Sequence, residues 1–337
     1  MTTNFKTGVL LTLALAASHA AIAQVTVFSD DFADGSTINN VSSPTADSTS
    51  YDFASSKTGV ESISGSGLTF GLASTTGSGF VEAQALFTTT PLTLGTTGDY
   101  VDLTYTFTDT TGNLIAGGPN SAIFTGLYQS GGVAPYSISG GGSGNAVALS
   151  TTAGSSFATG GTALWQGYVG NILMSGTPSI YTRPQQTGGT TSANQDLIGN
   201  GFGGGTYVNN PGSTVGSATV LATSVALTAG DVYTVDYHLT LSSPGNITVS
   251  DDLFSGAGTG GTEIQSVTTT GTLTTSTFDG LAVGIRNSGT SLNPQMDINQ
   301  ITVTSDIQAV PEPGTFVLFG GGLSFLSLAW RRRQPRA

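Results

Sequence analysis

Residues 101–109 read Val-Asp-Leu-Thr-Tyr-Thr-Phe-Thr-Asp, and their alternation decides the fold class. Val101, Leu103, Tyr105 and Phe107 fall on one face of an extended chain; Asp102, Thr104, Thr106 and Thr108 fall on the other. Successive side chains of a strand point to opposite faces, so a period of two marks a sheet with one face in a core and one face in water. Residues 231–241 repeat the pattern, with Tyr233, Val235, Tyr237, Leu239 and Leu241 opposed to Val232, Thr234, Asp236 and His238. Residues 247–249, 280–285 and 298–303 are further strand candidates, bounded by turn formers such as Ser243-Pro244-Gly245-Asn246. No long helical period accompanies them. The prediction is an all-β chain, an antiparallel β-sandwich.

Composition agrees. Only 8% of the 337 residues are charged, against about 25% in an average domain. The surface is therefore built from Ser, Thr, Asn and Gly, which suit exposed strands and turns. With 37% apolar residues the chain can bury a sizeable core, and with no Cys it must do so without disulfides. Two Gly-rich stretches, 117–143 and 187–217, are predicted as loops. The second includes Gly199-Asn200-Gly201-Phe202-Gly203-Gly204-Gly205, but neither carries the spacing of a phosphate-cradling loop.

Charge is unevenly placed. Lys6 lies near the N-terminus, and Arg331, Arg332, Arg333 and Arg336 lie at the C-terminus. Between these ends only Lys57, Arg183 and Arg286 face every acidic residue of the chain but Glu312. So acidic a body excludes nucleic-acid binding through a broad basic face.

The ends carry the clearest signals. Residues 1–23 have the three parts of a secretory signal: Lys6, an apolar run at 8–17, and Ala21-Ile22-Ala23, where Ala21 and Ala23 satisfy the small-x-small rule and leave Gln24 as the mature first residue. At the other end, Val310-Pro311-Glu312-Pro313 precedes an apolar stretch, 314–330, and then Arg331-Arg332-Arg333. At about 1.5 Å per residue the stretch runs about 25 Å, the short limit for a single transmembrane helix. Trp330 would sit at the interface and the arginines on the cytoplasmic side, leaving the body outside. Gly320-Gly321-Gly322 interrupts the stretch, which allows close helix packing or an unwound segment.

Pro311-Glu312-Pro313, a short apolar segment and a basic tail, in that order at the extreme C-terminus, resemble a PEP-CTERM sorting signal. The resemblance implies recognition by an exosortase, cleavage near Pro311, Glu312 and Pro313, and delivery to the cell envelope or an extracellular polymeric matrix. Exosortase and signal peptidase are then the processing partners, the inner membrane a transient one, and exopolysaccharide a candidate one. A second resemblance rests on the body's two ends. Asp30-Asp31-Phe32 near the start and Asp297 to Val303 near the end, of the form D-x-x-x-I-x-V, are similar to the opening and closing strands of concanavalin-A-like jelly-roll domains. Those strands pair in that fold, which implies one sandwich over 24–308 between the signal, 1–23, and the sorting segment, 309–337.

The chemistry of the body is sparse. Beyond the signal, His238 is the only histidine. It lies in an alternating strand with no G-x-S-x-G elbow, and one His with no Cys falls short of the three or four ligands, usually His or Cys, that a zinc site takes. The E-x-D-x-x-E strand of jelly-roll glucanases does not occur at Glu61, Glu82, Glu263 or Glu312. The body is therefore expected to be non-catalytic. Calcium is the candidate ligand, at Asp30, Asp31 and Asp34 or at Asp251 and Asp252, since it takes 6 to 8 oxygen ligands from such groups. Trp165 and Tyr168, with Tyr136 and Tyr207, are candidate sugar platforms. The expected role is structural or adhesive, the alternative a carbohydrate-binding module, and a polysaccharide-active enzyme comes third.

Overall fold

The computed structural model describes residues 24–33, 51–55, 59–64, 67–72, 79–116, 121–133, 135, 147–148, 161–173, 175–185, 196–198, 214–287 and 293–307. The strands are β1 (Val25–Asp30), β2 (Asp52–Ser55), β3 (Gly59–Ser64), β4 (Gly67–Leu72), β5 (Gly79–Leu86), β6 (Leu92–Thr93), β7 (Tyr100–Asp109), β8 (Ala122–Gln129) and β9 (Val147–Ala148). They continue as β10 (Gln166–Leu173), β11 (Ile180–Arg183), β12 (Ala218–Val220), β13 (Val232–Ser243), β14 (Asn246–Ser255), β15 (Thr262–Thr272), β16 (Thr277–Phe278), β17 (Gly280–Asn287) and β18 (Gln295–Ser305). A 3₁₀ turn at Gly161–Leu164 precedes β10. The signal and sorting segments lie outside the described residues, so the expected transmembrane helix does too; no helix among those described is long and apolar enough to cross a membrane.

A nine-stranded sheet runs β12-β15-β14-β13-β7-β18-β4-β3, with β1 also on β18. A seven-stranded sheet runs β11-β10-β8-β17-β5-β2-β9. All pairs are antiparallel except β2 with β9. The first and last strands do pair, with Val25 opposite Ser305 and Asp30 opposite Ile301.

The alternation at 101–109 is realised: Val101, Leu103, Tyr105 and Phe107 are buried in the core between the sheets. Tyr233, Val235, Tyr237, Leu239 and Leu241 join them from β13. The facing sheet contributes Ile123, Leu127, Tyr168, Ile172, Leu281, Val283 and Ile285.

Two expectations change. Residues 122–129, inside a stretch read as loop, form β8, with every residue but Gln129 buried. The reason is a second apolar layer on the far side of the seven-stranded sheet, made of Phe80, Phe124, Tyr128, Trp165, Val169, Leu197 and Ile198 among others. A strand buried on both faces loses the period of two that marks a half-wet one. In addition, β14 runs on to Ser255, beyond the 247–249 expected, so Asp251 and Asp252 sit within the strand.

Candidate functional site

The outer face of the nine-stranded sheet is a grid of hydroxyls with acids set among them. Across β18, β7, β13, β14 and β15, register places Thr304, Asp102, His238, Ser250 and Thr268 in one row and Thr302, Thr104, Asp236, Asp252 and Ser266 in the next. A third row holds Tyr100, Thr240, Thr248 and Thr270. Thr248 and Thr270 hydroxyls lie 2.7 Å apart.

His238 and its neighbours form the centre of this face. Its ring stacks on Tyr100, with centroids 5.1 Å apart. Nδ1 lies 3.5 Å from Asp102 Oδ1, and Nε2 lies 2.7 Å from Thr240 Oγ1. Desolvation and a hydrogen bond with Asp102 push the Asp236 carboxyl up to about 9. Desolvation acts to raise Asp102 as well, but hydrogen bonds from His238, Asp236 and Thr304 outweigh it and hold its carboxyl low. At neutral pH the two carboxyls therefore hold one proton between them. Desolvation also lifts Asp252 to about 6.

Hydroxyl, imidazole and carboxylate thus stand in the order of a nucleophile, its base and the group that orients the base. Acyl transfer needs one further part, a site for the oxyanion. Thr240 lies within β13, a strand paired on both sides, and an oxyanion needs N–H groups that no ladder consumes. As a binding surface, the same groups offer donors and acceptors with one half-buried ring stack.

The seven-stranded sheet has its outer face covered instead. Trp165 is fully buried, its Nε1 donating to the Val133 carbonyl at 2.7 Å. Its ring sits over Gly280, where a Cβ would collide with it. Tyr168 is fully buried on the inner face and donates to the Thr275 carbonyl at 3.4 Å. Neither ring is available as a sugar platform: bulky rings flanked by Gly in a chain poor in charge are used here as packing. Tyr136 and Tyr207 lie outside the described residues.

The cover includes residues 196–198. Glu82 Oε2 accepts from Leu197 N at 3.1 Å and Ile198 N at 3.0 Å, Tyr128 Oη donates to the Leu197 carbonyl at 2.8 Å, and Ile198 packs against Gly284. Arg286 and Asp196, both buried, face each other at 4.0 Å. Arg183 donates to the carbonyls of Asp196 and Trp165. Burial first, then the nearby Asp196 charge, raise the Glu82 carboxyl well above its usual range. Both arginines of the body are thus spent on internal structure, which sequence alone did not reveal.

The proposed calcium residues are dispersed. Asp30 is buried, accepting from Phe32 N at 2.8 Å and Tyr51 Oη at 3.1 Å. That grip holds Phe32 at φ 60°, a strained value for a bulky residue. Asp31 is exposed and accepts from Ala33 N at 2.9 Å; Asp34 lies outside the described residues. Asp251 and Asp252 cannot share an ion, because neighbours in a strand point to opposite faces. Asp251 enters the core, while Asp252 joins the outer face. Among the described residues no group of three or more His, Asp or Glu is placed to hold a metal ion.

The two ends of the body meet at one corner. Gln24 Nε2 donates to Thr304 Oγ1 at 2.7 Å. Beyond Ser305 the chain is pinned to the start of β7: Asp306 Oδ1 accepts from Tyr100 N at 2.9 Å, and Ser305 Oγ donates to the Tyr100 carbonyl at 2.7 Å.

Residues 309–333 match the model of the PEP-CTERM protein-sorting motif, so the chain carries that motif. No curated protein sequence matches this chain. Among solved structures, peanut lectin is similar at 11% identity and a TM-score of 0.36, covering 82% of this chain and 100% of its own. Winged bean acidic lectin complexed with methyl-α-D-galactose gives 11% and 0.38, covering 85% and 100%. The VIP36 exoplasmic/lumenal domain in its Ca2+/Man3GlcNAc-bound form gives 14% and 0.36, covering 79% and 87%. These scores lie below 0.5, and the sandwich of this chain stands on its own strand pairing.

Proposed function

We propose that this chain is an exported protein of the cell envelope or extracellular matrix, delivered by an exosortase, whose sandwich has a structural or adhesive role. The sorting motif at 309–333 carries the reading, because such a motif implies exosortase processing. The outer face of the nine-stranded sheet supports it: rows of hydroxyls and carboxyls suit contact with hydrated matrix polymers. The body is read as non-catalytic, since the one His–carboxylate pairing stands on a paired central strand.

The test is to map both mature termini in a host with and without exosortase. The expected product begins at Gln24, ends near Pro311, and leaves the membrane fraction only when exosortase is present. A full-length chain in the cytosol retaining Met1 and Ala337 would overturn the proposal.

One observation favours carbohydrate binding as a second reading. The Tyr100–His238 stack, with His238 38% exposed, is an aromatic surface ringed by hydroxyls and acids. Glycan-array binding that Tyr100→Ala abolishes would support it, and an unchanged array would remove it.

A further inference from the structure

The start and end of the folded body leave from one corner of one sheet. Val25 pairs with Ser305, so the start of the first strand, one residue after the expected signal cleavage, and the end of the last strand, four residues before the sorting motif, lie about 5 Å apart, one strand spacing. The same corner holds the turn at 95–99 and the tip of the β13–β14 hairpin. Gly98 N donates to the Leu241 carbonyl at 2.9 Å, and Leu241 N to that of Asp99 at 2.9 Å. Asp99 Oδ2 accepts from Gly95 N and Thr96 N, both at 2.8 Å, which fixes the turn. Ile307 is tied down in turn, its N–H donating to Ser305 Oγ at 3.0 Å.

Reach then sets a limit. Pro311 is four residues beyond Ile307, and an extended chain covers at most about 14 Å over that length. Any enzyme gripping Pro311-Glu312-Pro313 must stand against this corner. Asp99 and Asp306 make the corner acidic, and anionic lipid headgroups repel acids. A protein contact is therefore favoured over a lipid one.

We propose that this corner, formed by Gln24, the 95–99 turn and Pro244–Asn246, is the surface against which the exosortase docks during cleavage. The proposal rests on the exosortase reading above. Its partner is the outward face of that membrane enzyme, with donors or positive charge opposite Asp99 and Asp306. Folding of the β1–β18 edge thereby sets how the sorting motif is offered.

The chain has no cysteine, so single labels can be placed cleanly. In spheroplasts displaying the full-length chain, Thr97→Cys puts a polyethylene glycol maleimide on the corner. Ala257→Cys puts it at the far end of β14, about 30 Å away. The corner label should slow exosortase cleavage at least about tenfold, because geometry that forbids simultaneous engagement removes the intramolecular advantage. The distal label should leave the rate unchanged. A flexible insert of about twelve residues after Ile307, reaching about 20 Å on average, should restore cleavage of the corner-labelled chain. A benzophenone maleimide on the Thr97→Cys variant should yield a photo-adduct with the exosortase. Equal rates with both labels, or adducts to lipid alone, would overturn the docking surface. Failure of the exosortase reading looks different: the unlabelled chain would not be cleaved at all.

Discussion

Asp251 places a carboxyl between the two sheets, against Gly170 of β10, where a Cβ would collide with it. Neither oxygen has a hydrogen-bond partner among the described residues. Burial, then the charge of Asp252, raise its carboxyl well above the ordinary carboxylate range. A group whose folded pKa exceeds its unfolded value of about 3.9 stabilises fully below that value and loses its contribution as pH rises through the folded pKa. Within that window one such group costs about 1.4 kcal/mol per pH unit. Asp251→Asn keeps the volume and removes the titration. It should therefore gain stability relative to the native chain on going from pH 5 to pH 8, read by urea unfolding at both; an unchanged difference would refute the assignment. Glu82 differs because its oxygens are occupied by the N–H groups of residues 197 and 198. Glu82→Ala should cost about 3 kcal/mol, as for the loss of one member of a buried charged network. Glu82→Gln, which keeps an acceptor, should cost clearly less in the same denaturation series.

At the scale of elements, the two sheets write their packing into the sequence differently. β7 and β13 were legible at once because one face is dry and the other wet. β5, β8 and β10 are buried on both faces; β8 falls in a Gly-rich stretch read as loop, and β5 and β10 were not among the strand candidates. The glycines are where the covering layer approaches: Trp165 rests on Gly280, and Ile198 on Gly284. Overpacking a close site costs about 1–3 kcal/mol. Gly280→Ala should fall in that range and lower the melting temperature, whereas Gly260→Ala, at a position open to solvent, should not. Equal melting temperatures for the two would show that Trp165 is not held on β17 in this way.

For the whole molecule, the balance of carboxyls predicts an unusual pH profile. Among the described residues, desolvation raises Glu82, Asp109, Asp236, Asp251, Asp252 and Asp279, while Asp102 is held low. These raised groups bind more protons in the native state than in the unfolded chain above pH about 4, so their contribution to stability falls as pH rises, up to the Asp236 value of about 9. Melting temperatures should drop steadily between pH 5 and pH 9; a flat or rising curve would contradict the burial of these groups. Asp102 acts in the opposite sense, its contribution being lost only in strong acid.

The amino-acid sequence by itself determined the sorting motif and the half-wet strands, because both are local patterns: a short motif in fixed order, and a period of two imposed by the geometry of an extended chain. It also pointed to the meeting of the first and last strands, through short motifs at each end. Only the tertiary structure decided that Trp165 and Tyr168 are packing, that Asp251 and Asp252 part company, and that Arg183, Arg286 and Glu82 are internal. Each of those depends on which layer covers which face, a matter of contacts between residues far apart in the chain, and no periodicity along one strand records what lies on top of it.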